Sequence, residues 1–196
     1  MADKYKLVVS YTTRPIRENE IEGREHYFIT DKEADKLLKE NKVIAYTKIG
    51  ETGYRYFTLE NNLVNSNCYI IDPTGIKDLK KRFLELRKRI KIIYIYTPSI
   101  IRELRAKNNR SDYNTSYKKR CEQEDKQFSE FERNKNYDKV ILNVGSFESS
   151  VESLVNYMDS VYKKDTLFLI VGRTCSGKDS LTNNAIKILN KSENTK

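Results

Sequence analysis

Thr166-Leu167-Phe168-Leu169-Ile170-Val171-Gly172-Arg173-Thr174-Cys175-Ser176-Gly177-Lys178 is the stretch that decides how this chain folds. Leu167 to Val171 is a short continuous apolar run, the pattern of a strand covered on both faces. A Gly-x-x-x-x-Gly-Lys loop follows at once, and Asp179 to Leu189 reads as a helix. Strand, glycine loop and helix in that order form the context in which this spacing binds phosphate. Glycines let backbone N–H groups turn inward around phosphate oxygens. The helix N-terminus adds its positive dipole end.

The loop assigns a triphosphate site to Gly172, Arg173, Thr174, Cys175, Ser176, Gly177, Lys178, Asp179 and Ser180. Lys178 is placed to reach the β- and γ-phosphates. Ser or Thr usually follows the lysine and ligates Mg²⁺; here the residue is Asp179, whose carboxylate suits a hard cation. ATP and Mg²⁺ are therefore the expected cofactors, with Asp179 the metal ligand. The chain has 196 residues, so 18 follow Lys178, too few to complete a nucleotide-binding domain. The rest is expected upstream, in a rotated order.

Four further runs read as buried strands: Leu7 to Ser10, Tyr69 to Asp72, Ile92 to Thr97 and Lys139 to Asn143. Helical patterns separate most of them. Ile76, Leu79, Phe83, Leu86 and Ile90 share one helical face, as do Phe147, Val151, Leu154, Val155, Met158 and Val161. The alternation predicts an α/β fold, a five-stranded parallel sheet with helices on both faces, in a single domain over residues 1–196. Residues 14–65 differ. Tyr27 to Ile29, Val43 to Ile49 and Tyr54 to Leu59 read as strands, and Thr30-Asp31-Lys32-Glu33 is a capping box opening a short helix to about Asn41. This is expected to be a small β-rich acceptor subdomain. Residues 100–133 are charged, helical and interrupted near Asn108 to Ser111, a lid carrying arginines. Residues 191–196 read as a frayed polar tail.

The apolar share is 38%, the net charge +9 and the mean hydropathy −0.74. Acids interleave with the bases, so a solvated surface plus phosphate-holding arginines is expected rather than a nucleic-acid partner. No run is long enough to span a membrane and no leader pattern opens the chain. Three scattered cysteines imply a reduced cytoplasmic protein without structural zinc or disulfides.

Ser10-Tyr11-Thr12-Thr13-Arg14-Pro15-Ile16-Arg17-Glu18-Asn19-Glu20-Ile21-Glu22-Gly23 is the second constellation. Two arginines three apart on a loop suit an acceptor phosphate, because planar forks give bidentate contacts. Here the chain resembles the guanylate kinase family, whose S-x-T-T-R-x-x-R-x-x-E-x-x-G spacing is met throughout. Asp72-Pro73-Thr74-Gly75, Thr97-Pro98-Ser99 and Asp138 to Asn143 are similar to further family motifs. The family has the phosphate loop first, so the resemblance implies a circularly permuted P-loop nucleoside monophosphate kinase fold, joined at Tyr162 to Asp165. It implies acceptor contacts from Ser10, Arg14, Arg17, Glu20, His26, Tyr27, Tyr54 and Asp72. Arg105, Arg110 and Arg120 fall near the family's three lid arginines and join Lys178 as catalytic residues.

Departures concern the base. The family's guanine-contacting glutamate aligns with Ala45, one strand-end acid with Ile70, its phosphate-binding tyrosine with His26, and its Tyr-Gly-Ser/Thr turn with Tyr54-Arg55-Tyr56. The expected activity is ATP-dependent phosphorylation of GMP or dGMP by a monomer or homodimer. A kinase for another monophosphate and a non-catalytic protein-binding module are the alternatives. Retention of both loop glycines and the lysine separates the enzyme readings from the last.

Overall fold

The computed structural model describes residues 3–18, 20–40, 43–50, 52–82, 89–110 and 113–193. Its centre is an all-parallel sheet in the order β5 (Cys68–Ile70), β8 (Leu167–Val171), β6 (Ile90–Tyr96), β7 (Lys139–Leu142). All five residues of β8 are buried, so alternate side chains feed two cores. Leu167, Leu169 and Val171 join Ile92, Tyr94, Leu79, Phe128 and Phe131 on one side. Phe168 and Ile170 join Ile93, Ile95, Leu154, Met158, Leu181 and Leu189 on the other. Helices α3 (Pro73–Arg82) and α5 (Lys118–Arg133) supply the first core; α6 (Phe147–Val161) and α7 (Lys178–Glu193) supply the second. Phe83 and Leu86 of the expected α3 face lie outside the described residues, as do 194–196 of the expected tail.

The expected fifth parallel strand is reduced to one bridge. Leu7 pairs with Cys68, and the Val8 N–H donates to the Cys68 carbonyl at 2.7 Å. The chain then leaves the core sheet. Ser10–Thr12 forms β1 of a second sheet, ordered β2 (His26–Phe28), β1, β4 (Arg55–Leu59), β3 (Val43–Lys48). Aromatic packing accounts for the switch: the Tyr11 ring lies 4.8 Å from that of Tyr27 and stacks on Phe57 at 5.4 Å. The switch places the arginine loop that follows β1 over the carboxyl ends of the core strands.

In the small sheet α1 (Asp31–Glu40) opens with the expected capping box: Glu33 accepts from the Thr30 N–H at 2.8 Å, and the Glu33 N–H donates to the Thr30 hydroxyl at 3.2 Å. The sheet has an irregularity between Ile44 and Thr47, where Ala45 takes φ +52°. A short α2 (Glu60–Val64), absent from the sequence reading, returns the chain to the core. The charged stretch forms α4 (Ser99–Asn109), a π-helical turn at Tyr113–Tyr117 and α5. No helix among the described residues is long and apolar enough to cross a membrane.

Candidate active site

The phosphate loop leaves β8 through a crowded stretch of backbone. A Cβ on Gly172 would lie 2.5 Å from the Ser176 hydroxyl oxygen and 2.9 Å from the Ile95 carbonyl oxygen, so only glycine fits. Gly177 holds φ +83° and Cys175 φ +60°, the left-handed turns that close the loop. Three side chains fix that turn through the Ser176 carbonyl: Asn143 Nδ2 donates at 2.7 Å, Thr97 Oγ1 at 3.0 Å and Arg105 Nη1 at 3.2 Å. Asn143 directly follows β7 and Thr97 directly follows β6, so the core strands themselves shape the loop. Helix α7 begins at Lys178 and aims its N-terminus across the loop.

A cleft of about 480 Å³ lies between this loop and the acceptor subdomain. Lys178, Asp179, Gly172, Thr174 and Cys175 line it from one side, and Ser10, Arg14, Arg17, Glu20, His26 and Asp72 from the other. Arg110 and Arg120 reach it from the lid. The Lys178 ammonium is 3.8 Å from an Asp179 carboxylate oxygen.

Arg14 is buried and spoken for. Its guanidinium makes two bonds to Glu20, at 2.6 and 2.5 Å, and a third to the Pro15 carbonyl at 2.9 Å. Glu20 also accepts the Arg17 N–H at 2.9 Å. Burial alone would raise the Glu20 carboxyl, but the Arg14 side chain and the Arg17 N–H hold it below its ordinary value. Arg17 has the opposite surroundings: burial and the like charges of Arg14 and Arg110 pull its affinity for a proton down. An anion placed there would relieve that repulsion. His26 is pushed below its ordinary value by burial and by Arg14, so the ring is neutral at pH 7, with Nδ1 2.9 Å from the Ser10 hydroxyl.

Chemically, the cleft sets a glycine-rich loop with backbone N–H donors and Lys178 opposite a second wall carrying Arg14, Arg17 and His26. The chain matches the guanylate kinase family model over residues 1–161. The chain belongs to the guanylate kinase family. It is 32% identical over 148 residues to the guanylate kinase of Wigglesworthia glossinidia brevipalpis, covering 74% of this chain and 64% of that one. It is 33% identical over 143 residues to that of Rickettsia felis, covering 70% and 71%, and 30% over 167 residues to that of Francisella tularensis subsp. holarctica, covering 80% and 82%. The crystal structure of guanylate kinase from Anaplasma phagocytophilum shares its fold, with a TM-score of 0.51 at 21% identity, over 83% of this chain and 80% of that one.

Set against the guanylate kinase motifs, several expected site residues sit away from the cleft lining. Tyr27 packs on Tyr11 instead, because alternation along β2 puts it on the face opposite His26. Tyr54 is absent from the lining while Tyr56, one β-period on, lines it and sets its ring 5.7 Å from His26. Arg105 serves the loop carbonyls rather than facing the cleft. Arg173 turns away to Glu132, with two bonds of 3.1 Å, and to Asp125. Ser180 is exposed outside the lining, and Ser176 and Gly177 lie beneath it. Asn19 of the arginine loop lies outside the described residues. Thr47, which donates to Asp72 at 2.9 Å, and Glu124 are wall residues that no motif flagged.

The fit to ATP rests on the loop geometry above. For Mg²⁺ the segment from Gly172 to Asp179 brings one carboxylate to the cleft, that of Asp179, and among the described residues no group of three or more His, Cys, Asp or Glu could hold a metal. One carboxylate with phosphate oxygens and waters is the donor set Mg²⁺ accepts.

Proposed function

We propose that this chain transfers the γ-phosphoryl group of ATP to the phosphate of GMP or dGMP. The observation that carries the reading is the opposition of two phosphate sites across one cleft: the glycine loop with Lys178, and the Arg17, His26 and Tyr56 wall. An acceptor phosphate oxygen forms the new bond to the γ-phosphorus as the bond to the β,γ-bridging oxygen breaks. Lys178, Arg110 and Arg120 stabilise charge on the group in transit, and positioning supplies much of the rest. Arg105 acts indirectly by fixing the Ser176 carbonyl. Asp179 would hold Mg²⁺, which when bound neutralises phosphate charge. Lid closure over the cleft excludes water and suppresses ATP hydrolysis.

The base wall favours a second reading, another monophosphate as acceptor. Ala45 brings no carboxylate, and its backbone N–H is bound to Asp78 at 2.9 Å. Asp72 is the acid left on this wall; it accepts the Thr47 hydroxyl and the Gly75 N–H at 2.7 Å. One carboxylate in place of several narrows the preference for guanine. A coupled ADP-release assay across the common NMPs and dNMPs is expected to give GMP or dGMP the highest kcat/KM. Asp72→Asn should lower it by about tenfold or more, the loss of one charge-assisted contact. A higher kcat/KM for another monophosphate moves the assignment to that base.

We further infer that the family's elements are circularly permuted here. Support comes from the family match, which stops at residue 161, short of the phosphate loop, and from Tyr5 and Asn190. These exchange two bonds, Tyr5 N–H to Asn190 Oδ1 and Asn190 Nδ2 to the Tyr5 carbonyl, both 2.9 Å. Helix α7 thus delivers the chain to where the N-terminal segment begins. A variant opened between Lys163 and Lys164, with residue 193 joined to residue 3 by a short Gly/Ser linker, should fold and keep kcat within about threefold, as expected when joined ends are close. An insoluble or inactive product, repeated with a second linker length, would count against it. ATP supply and the three free thiols suit the cytoplasm. The proposed assembly is a monomer or homodimer, without nucleic acid.

A further inference from the structure

Helix α5 turns an acidic face to the phosphate loop. Asp125 and Glu132 hold Arg173, whose guanidinium also lies 4.9 Å from the Phe128 ring centre. Next to Asp125, Glu124 is 13% exposed at its side chain and does something different. Its Oε2 accepts the backbone N–H of Thr174 at 2.8 Å, and its Oε1 accepts the Thr174 hydroxyl at 2.5 Å. The same Oε1 lies 3.6 Å from Nε of Arg120, the lid arginine four residues earlier on the helix. Glu124, Arg120 and Thr174 all line the cleft.

A carboxylate beside nucleotide phosphates repels them unless its charge is compensated. Here Arg120 and two Thr174 donors compensate it. The pairing holds Arg120 at its Nε, and Arg120 lines the cleft, where a guanidinium fork can meet phosphate oxygens. The bond to the Thr174 N–H pins the second half of the glycine loop to the same helix. We propose that Glu124 is a positioning residue for phosphoryl transfer, tying the phosphate loop to the lid arginine Arg120 so that the two present their donors together. The proposal rests on the kinase reading above.

The test is a double-mutant cycle between Glu124→Ala and Arg120→Ala, with Glu124→Gln as the conservative variant and Arg173→Ala as the structural control. Glu124→Ala should lower kcat by about 10–100-fold, the range for a misplaced catalytic donor, with the acceptor KM within about twofold. Glu124→Gln, which keeps an acceptor for the Thr174 N–H but loses the ion pair, should fall between. In the Arg120→Ala background, Glu124→Ala should cost no more than about threefold further, because the pair acts as one unit. Arg173→Ala loosens the loop without touching Arg120, so its loss should multiply with that of Arg120→Ala. Equal losses from Glu124→Ala in both backgrounds, or a kcat within twofold of wild type, would overturn the proposal. ATP affinity by calorimetry needs no acceptor. It should weaken several-fold in Glu124→Ala, and an unchanged affinity overturns the loop half of the proposal even if wild type phosphorylates no monophosphate, a result that would separately refute the kinase reading.

Discussion

Lys178→Ala should reduce turnover by about 10²–10³-fold, the loss that follows removal of one preorganised donor to developing charge. Lys178 is the first residue of α7 and lines the cleft beside Asp179. Its ammonium is the one lysine charge that the loop itself brings to the β- and γ-phosphates. The loop's shape does not depend on it. The Ser176 carbonyl is held by Asn143, Thr97 and Arg105, and Thr174 is held by Glu124. The variant should therefore keep its circular-dichroism spectrum and melting temperature while losing phosphoryl transfer in the coupled assay. Turnover within a few-fold of wild type, with the spectrum unchanged, would remove Lys178 from the mechanism. A parallel loss of fold would instead place Lys178 in the scaffold. Arginine is a poor substitute: its fork is longer and planar, whereas this position needs a compact charge.

How much of this could be read in advance depended on distance along the chain. Strands β6, β7 and β8 were legible because each is a near-continuous apolar run, the mark of burial on both faces in β6 and β8, while β7 at the sheet edge buries only Ile141. The strand expected at Leu7 to Ser10 failed because one short segment serves two sheets, and the stacking of Tyr11 on Phe57, 46 positions on, cannot be seen locally. The loop at 172–178 was legible because glycine spacing encodes its turns. Tyr54 and Tyr56 share an alternation parity, so local pattern could not tell them apart; the strand β4 that carries Tyr56 is registered by its pairing with β3, irregular between Ile44 and Thr47. Arg105 read as a lid arginine by resemblance to the family, but its orientation toward the Ser176 carbonyl is tertiary. The acids of α5 gave no signal. Glu124, Asp125 and Glu132 look like a solvated helix face until Arg173 and Thr174, more than 40 residues later, dock on them.

Arg14→Ala should act on stability first and on acceptor binding second, the reverse of what two arginines on a loop suggest. Arg14 is 7% exposed, and Glu20 is 15% exposed at its side chain. Truncating Arg14 leaves a carboxylate half-enclosed with the Arg17 N–H as its remaining partner. Breaking a buried pair in this way costs about 3–5 kcal/mol; partial exposure of Glu20 brings the expectation to about 2–3 kcal/mol. For a domain of this size that is a fall in Tm of roughly 5–10 °C. Arg17→Ala removes no such pair, since Arg17 sits among like charges. It should leave Tm within about 2 °C and raise the acceptor KM about tenfold or more, the loss of a charge-assisted contact. The pH dependence separates the two further. Glu20 has a folded-state pKa below its unfolded value, so its contribution to stability is complete above that unfolded value. It is lost as pH falls through the depressed folded value, below about pH 4.5. Wild type should therefore lose stability steeply on acidification, and Arg14→Ala should show a flatter acid limb with a lower plateau at neutral pH. Arg14→Ala/Glu20→Ala should recover part of the loss, because the stranded charge is gone. Thermal melts of the four proteins from pH 7 to pH 3 measure all of this. If Arg14→Ala melts with wild type at every pH and only the acceptor KM changes, the Arg14–Glu20 pair is not structural, and Arg14 contacts the acceptor phosphate directly.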